Sequence, residues 1–390
     1  MSSRSSTNLL LTKAHANLII LPLSIFQLIT VTQSFLPPLE EYITYLTGVW
    51  ERVRLTNNGP LLLQLEAELS QYLAIPHVHV TGNGTVALQL AIRALGLAGE
   101  IITTPFSYVA TTSAILWEHC TPVFVDIDPD TFCLDATQLE AAITPRTCAI
   151  LATHVYGLPC DVDAIAAVAQ RHQLKVIYDG AHAFGTRLRG RSLLSYGDIT
   201  TCSFHATKLF HTGEGGAVLL HDQQLAAEVN LLKSFGHVGD DHLTLGINGK
   251  NSELHAAIGL CLLPRIAGLI EERAKLYHLY RQELAGLPLS YPVLPADIDY
   301  NYAYFPVVFE EEAALLHVKA LLAEHDIDTR RYFYPSLNLL PYLPGASSCP
   351  TSEYIAERVL CLPFYPQLGA ELVTRIASLV RHALVGVVLA

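Results

Sequence analysis

"DITTCSFHATKLFHTGEGGAVLLH" occupies residues 198 to 221. It reads as two short strands close together, "DITTCSFHAT" and "GGAVLLH", joined by a loop that carries Lys208 between His205 and His211. The "GEGG" run after the lysine lacks side chains that would keep backbone away from a neighbouring group. Alone, a lysine beside glycines is a surface hairpin. What surrounds it decides otherwise.

Upstream the chain alternates. Residues 65–73 have apolar positions at helical spacing, and "HVHVTGNG" (77–84) is a strand running into a glycine turn. A helix over 85–97 follows, then a strand "EIITTP" (100–105), a helix (107–119) and a strand "TPVFVDID" (121–128). The strand "TCAILATHVYG" (147–157), an Asp-capped helix (161–173) and the strand "KVIYDGAH" (175–182) complete the series. Strands and helices alternating at this spacing predict an α/β fold, with a mostly parallel sheet covered on both faces. Ligands of such sheets sit at the carboxyl ends of the strands. After about residue 223 the pattern turns helical (252–284), followed by an aromatic, proline-rich stretch, "RRYFYPSLNLLPYLP" (330–344), and a last helix. The expected layout is a large α/β domain over 31–250, then connecting helices and a small α+β domain over 251–390.

Composition narrows the function. With 390 residues, 51% hydrophobic and 15% charged, the chain can bury one large core or two lobes. Its formal charge of −12, from 24 basic and 36 acidic residues, excludes a general nucleic-acid binder. A small anionic ligand remains open, because helix ends and single cations hold phosphate inside acidic proteins. Cysteines 120, 133, 148, 160, 202, 261, 349 and 361 are scattered without a CxxC pair, which argues for free thiols in a reducing cytoplasm. The front of the chain carries Arg4, Lys13 and an apolar run from Leu18 to Ile29, interrupted by Pro22, Ser24 and Gln27. It lacks a small-x-small cleavage site and falls short of the roughly 20 residues a bilayer requires. Residues 1–30 read as a poorly ordered extension or an over-long start, with a peripheral anchor or an export signal as alternatives. The domain proper is expected from Val31.

Polar residues gather at the strand ends. Gly82, Asn83, Gly84 and Thr85 form a turn before a helix, where backbone N–H groups, a hydroxyl and the helix dipole suit a phosphate. Such turns are common before helices. Asp179 ends an apolar strand and by itself serves equally as a helix cap. His182 lies three residues on, a structural histidine if nothing else is near. Ser203 and Lys208 follow the next strand, and Tyr108 offers an aromatic ring. In one sheet these ends meet in one crevice. Phosphate cradle, carboxylate, lysine and ring together fit pyridoxal phosphate (PLP): a lysine for its aldehyde, an aspartate for its pyridine nitrogen and an aromatic ring to stack on it.

From about Val31 to the C-terminus the sequence resembles the DegT/DnrJ/EryC1/StrS family of sugar aminotransferases. The matching stretches keep their order: "LTNNGP", "GNGTVALQLAIRALGL", "EIITTPFSYVAT", "PVFVDIDPDTF", "AITPRTCAI", "HVYGLPCDVDAI", "VIYDGAHAFG", "GDITTCSFHATKLFHTGEGGAV" and "GINGKNSELHAAIGL". The resemblance implies PLP fold type I with a seven-stranded sheet, a homodimer, and substrates comprising glutamate and a nucleotide keto-sugar. It makes Lys208 the cofactor lysine, Asp179 the partner of the pyridine nitrogen, and Gly84, Thr85 and Ser203 phosphate ligands. It puts the ring of Tyr108 on the cofactor with His182 beside it. Asn248 matches an asparagine that reaches the neighbouring subunit's cofactor phosphate. Lys250 stands where many members carry arginine, and Gly180 replaces a more usual alanine. Some members dehydrate sugars and carry histidine in place of the lysine; Lys208 favours amino transfer. A non-catalytic regulator would tolerate loss of Lys208 or Asp179, and both are present.

The motifs look most like transaminases acting at C4 of dTDP-4-keto-6-deoxyglucose, but similar motifs serve C3, UDP-sugar and cyclitol transaminases. The pocket is expected to include the neighbouring subunit's "TNNGP" loop and the "RRYFYPSLN" segment (330–338). Arg330 or Arg331 would meet a nucleotide diphosphate, unless the pair is a solvated helix end.

Overall fold

A computed structural model describes residues 28–343 and 345–388 of the chain. Its sheet forms where short apolar runs can be buried on both sides. Strand β4 (Thr147–Thr153) is the clearest case: Ile150 and Ala152 point into one core, Ala149 and Leu151 into the other. The other strands are β1 (His77–Thr81), β2 (Glu100–Thr103), β3 (Thr121–Phe124), β5 (Lys175–Asp179), β6 (Ile199–Ser203) and β7 (Gly216–Leu220). They pair in the order β1-β7-β6-β5-β4-β2-β3. Strand β7 alone runs antiparallel to its neighbours, β1 and β6; the remaining pairings are parallel. The seven-stranded, mostly parallel sheet expected from the sequence is therefore present.

Helices cover both faces. Helices α3 (Gly84–Ala94), α4 (Val109–Trp117) and α6 (Gln223–Leu232) bury Leu88, Ile115 and Val229 with Ile177 and Val218 of the sheet. On the other face lie α1 (Leu39–Arg52), α2 (Pro60–Leu73), α5 (Val162–His172) and α7 (Glu253–Leu262). The Asp161 side chain caps α5 by accepting from Ala164 N–H at 2.9 Å, as its sequence predicts.

A second core follows. Strands β8 (Leu289–Ser290), β9 (Pro306–Phe309) and β10 (Val359–Cys361) form an antiparallel sheet. It packs with α8 (Ile266–Glu283), α9 (Glu312–Glu324) and α11 (Gly369–Val388), while α10 (Pro350–Arg358) leads into β10. Ile29 belongs to this core. Its N–H donates to the Asp326 carbonyl at 2.8 Å and its carbonyl accepts from Asp328, while the Val31 carbonyl accepts from Phe364 N–H at 3.0 Å. Ile29 fills an apolar slot beside Ile327. The reading of residues 1–27 as an extension lies outside the described residues. All eight cysteines are unpaired, as expected, and only Cys148 is partly exposed.

The start of α2 is held by one fully buried carboxylate. Glu253 accepts from Leu61 N–H at 3.1 Å and Leu62 N–H at 2.9 Å, and Arg52 approaches it at 3.6 Å. These N–H groups belong to the first turn of α2, which has no intrahelical partners for them. Glu253→Ala should therefore lower stability by roughly 3 kcal/mol, since it strips two buried donors and the partner of Arg52 together. Denaturant unfolding would check this, with Glu253→Gln expected to lose less; an unchanged midpoint in both would refute the clamp.

Candidate active site

Strand ends and the loops that leave them enclose a cleft of about 400 Å³. Asn83, Gly84, Thr85, Tyr108, Asp179, His182, Ser203 and Lys208 all line it. Gly82 and Asn248 are not part of its lining.

One wall is the start of α3. The Asn83 side chain caps the helix by accepting from Val86 N–H at 2.9 Å, leaving Gly84 and Thr85 N–H without partners among the described residues. A Cβ on Gly84 would lie 2.9 Å from Cβ of Ser203, so only glycine lets the helix end approach the end of β6. Two free N–H groups, the positive helix end and the Ser203 hydroxyl make an anion cradle. Among the glycines after Lys208, Gly216 serves this approach and Gly215 the fold of the loop itself. A Cβ on Gly216 would sit 2.6 Å from the Asn83 carbonyl carbon, and one on Gly215 2.1 Å from Thr212 Oγ1.

The floor is Asp179. Its Oδ2 accepts from Thr111 Oγ1 at 2.8 Å and its Oδ1 from Ala181 N–H at 3.0 Å. Burial pushes this carboxyl above its ordinary range, against the pull of those two bonds and of Lys208. The Ala181 bond closes a turn rather than the helix cap expected of an isolated aspartate, because residues 180–186 form no helix. Gly180 fits a turn where a Cβ would meet Leu194 Cδ2 at 2.4 Å.

His182 is buried, and its Nδ1 accepts from Tyr156 N–H at 3.2 Å. Burial, then the nearby Lys208 charge, hold it far below the usual histidine range. The ring is neutral and carries its proton on Nε2. It lies parallel to Phe333, centroids 5.6 Å apart. Asn301, fully buried, fixes the backbone after it by donating to the carbonyls of His182 at 2.7 Å and Phe184 at 2.9 Å. Tyr108 stands at the mouth, half exposed, at the N-cap of α4.

Lys208 Nζ lies 3.3 Å from the Tyr304 hydroxyl. Burial lowers the pKa of its amine, opposed by Tyr332 and Asp179. The flanking histidines are occupied elsewhere: His205 Nδ1 contacts Thr207 Oγ1 within the loop, and His211 Nε2 donates to the Phe35 carbonyl of the segment before α1. The two arginines part company. Arg330 lines the cleft, whereas Arg331 is tied to Glu312 at 2.8 Å and to the Ala356 and Glu357 carbonyls. Neither is the end of a helix.

Asn248 is exposed on the segment after α6, and Lys250 Nζ lies 4.7 Å from the centre of the Phe235 ring. The segment is bound to the glycine turn by Gly82 N–H donating to the Gly249 carbonyl at 2.9 Å. Thr111, Tyr304, Phe333 and Asn301 were not singled out in the sequence. Thr111 is hidden in an apolar helix, and the other three arrive from the second half of the chain. The "NYAYFP" and "RRYFYP" clusters are the only signals for them.

A profile of the DegT/DnrJ/EryC1/StrS aminotransferase family matches residues 39–381. A dTDP-4-amino-4,6-dideoxy-D-glucose transaminase of Shigella dysenteriae is 41% identical over 361 residues, covering 91% of this chain and 98% of that protein. A UDP-N-acetyl-3-dehydro-alpha-D-glucosamine 3-aminotransferase of Acidithiobacillus ferrooxidans is 37% identical, covering 83% of this chain and 88% of its own. The crystal structure of DesI in the presence of its TDP-sugar product superposes with a TM-score of 0.87 at 35% identity, covering 93% of this chain and 95% of that one.

The cradle gives a direct test. A methyl group added by Gly84→Ala would intrude between α3 and Ser203, and overpacking of this kind weakens binding by about tenfold or more. Affinity for PLP should fall, while affinity for pyridoxal, which lacks the phosphate, should change little. Equal losses for both would show that the cradle is not where phosphate sits.

Proposed function

The chain belongs to the DegT/DnrJ/EryC1/StrS aminotransferase family, and we propose that it moves an amino group from glutamate to C4 of dTDP-4-keto-6-deoxyglucose. The product would be dTDP-4-amino-4,6-dideoxyglucose. The observation that carries the chemistry is the meeting of Lys208, Asp179 and the anion cradle of α3 in one cleft. The sugar is inferred from the 41% identity to the transaminase named above.

PLP suits these residues: the cradle matches its phosphate, Asp179 its ring nitrogen and Lys208 its aldehyde. When bound, it supplies an electron sink for the carbanion formed at the substrate carbon. The chain's own residues do the rest. Burial lowers the Lys208 pKa, which raises the fraction of free amine available to take a proton from the donor carbon and return it. The Tyr304 hydroxyl orients that amine. Asp179 holds negative charge at the floor, and neutral His182 has an Nε2 proton to donate. Tyr108 covers the mouth as the stacking ring. Arg330, rather than the occupied Arg331, is the cation for an anionic group of the substrate in a chain of net charge −12.

The active unit in this reading is a homodimer. Asn248 lies outside its own chain's cleft, on a segment that exposes Phe235, Val238, Leu243, Leu245 and Ile247. An apolar arm of this kind favours burial against a partner. Asn248 would then reach the other subunit's phosphate, and the loop at 56–60 the other subunit's sugar. Amination at C3 of a UDP-sugar is the second reading, favoured by the 37% identity noted above. An amino-transfer assay with glutamate against a panel of nucleotide keto-sugars separates the two by product. If no keto-sugar is aminated, both fail.

Two further outcomes are expected. Borohydride reduction of the PLP-loaded protein should leave the cofactor on the peptide containing Lys208, and Lys208→Ala should abolish amino transfer; normal turnover by that variant would remove the assignment. Mixing Lys208→Ala chains with Asn248→Asp chains, each impaired alone, should restore part of the activity. One site of each mixed dimer then receives both lesions and the other neither. No recovery would mean that Asn248 serves its own chain.

A further inference from the structure

The Asp179 carboxylate ends a file of three hydroxyls. Thr111 Oγ1 lies 2.8 Å from Oδ2, Ser107 Oγ lies 2.8 Å from Thr111 Oγ1, and Thr153 Oγ1 lies 3.1 Å from Ser107 Oγ. The three come from separate places: the loop before α4, the first turn of α4 and the last residue of β4. All are buried, Thr111 completely.

Proton counting gives the file a direction. An ionised carboxylate only accepts, so Thr111 donates to Asp179. Having one proton, Thr111 must then accept from Ser107, and Ser107 from Thr153. A single anion therefore orders three hydroxyl protons, each bond polarising the next. A proton placed on Oδ2 towards Thr111 would force the Thr111 hydroxyl to turn away from it. The neighbouring Thr112 makes the contrast: it is buried too, yet its hydroxyl has no partner among the described residues. Packing alone asks for no hydroxyl at 111, where valine has the same shape. The other titratable or charged groups acting on Asp179 are Lys208 and Cys202 of β6.

We propose that Thr111 is a positioning residue for amino transfer: backed by Ser107 and Thr153, it fixes the orientation and the ionised form of the Asp179 carboxylate at the floor of the cleft. This rests on reading Asp179 as the partner of the cofactor's ring nitrogen. Ser107 and Thr153 also line the cleft, so the file joins the cleft wall to its floor.

Thr111→Val and Thr111→Ser test it, the first removing the hydroxyl at constant shape and the second keeping it. A hydrogen bond to a charged group is worth about a ten- to hundredfold effect, so Thr111→Val should lower kcat/KM by that factor. Loss of a donor that favours the ionised form raises the carboxyl pKa. The acid limb of the kcat/KM profile should accordingly move to higher pH. PLP affinity of the apoprotein, titrated against pH, should weaken from a higher pH in the same variant. Thr111→Ser should restore both. An unmoved acid limb in Thr111→Val, with activity lost only in step with thermal stability, would overturn the proposal. Should Thr111→Val not fold, Ser107→Ala carries the test: it leaves Thr111 without its donor and should shift the limb the same way by a smaller amount, and no shift would again overturn it. Asp179→Asn separates the two levels. If that variant is inactive while Thr111→Val has the parental profile, only the role of Thr111 fails; if Asp179→Asn is fully active, the reading of Asp179 beneath it fails.

Discussion

No methyl group fits between Gly84 and Ser203. That one close approach sets the geometry of the whole site. It brings the positive end of α3 onto the end of β6, and the loop leaving β6 is the one that carries Lys208. Gly216 makes the matching approach from β7, against the Asn83–Gly84 peptide. The antiparallel insertion of β7 between β1 and β6 thus holds the helix start and the lysine loop in register. A side chain at either glycine would force them apart.

Upon that frame the site solves an electrostatic problem. A carboxyl and an amine are both taken out of water, and burial drives each toward its neutral form. For the amine this is useful, because a neutral lysine can accept a proton. For the carboxyl it is not, and the hydrogen bonds from Thr111 and the Ala181 N–H act against it. His182 is left neutral by the same burial. Opposite requirements in one cleft are met by supplying hydrogen-bond donors to one group only.

The sheet was legible because its strands are short apolar runs that end in polar residues. Asp179, Ser203 and Lys208 could be gathered for the same reason: each sits at or just past a strand end. Thr111 left no such trace, since a threonine within "VATTSAILW" resembles its partnerless neighbour Thr112. Tyr304 and Asn301 reach the lysine and His182 from more than ninety residues away, a distance over which periodicity says nothing. Arg330 and Arg331 are indistinguishable in sequence. Successive residues of an extended segment face opposite ways, and Glu312 happens to stand on the side of Arg331. For the glycines, sequence shows that something approaches closely without showing that at Gly216 it is the Asn83–Gly84 peptide.

The pairing of Ile29 with Ile327 bears on how the chain is made. A ribosome releases residue 29 early and residue 327 late, so the leading segment waits unengaged while nearly three hundred residues emerge. The large sheet can assemble in that interval, because its last strand, β7, ends at Leu220. The smaller core closes last, when α9 and β10 arrive to take up the segment. The segment at Ile29 is therefore fastened only once Ile327 has emerged, with Arg330, Tyr332 and Phe333 delivered to the cleft just behind it.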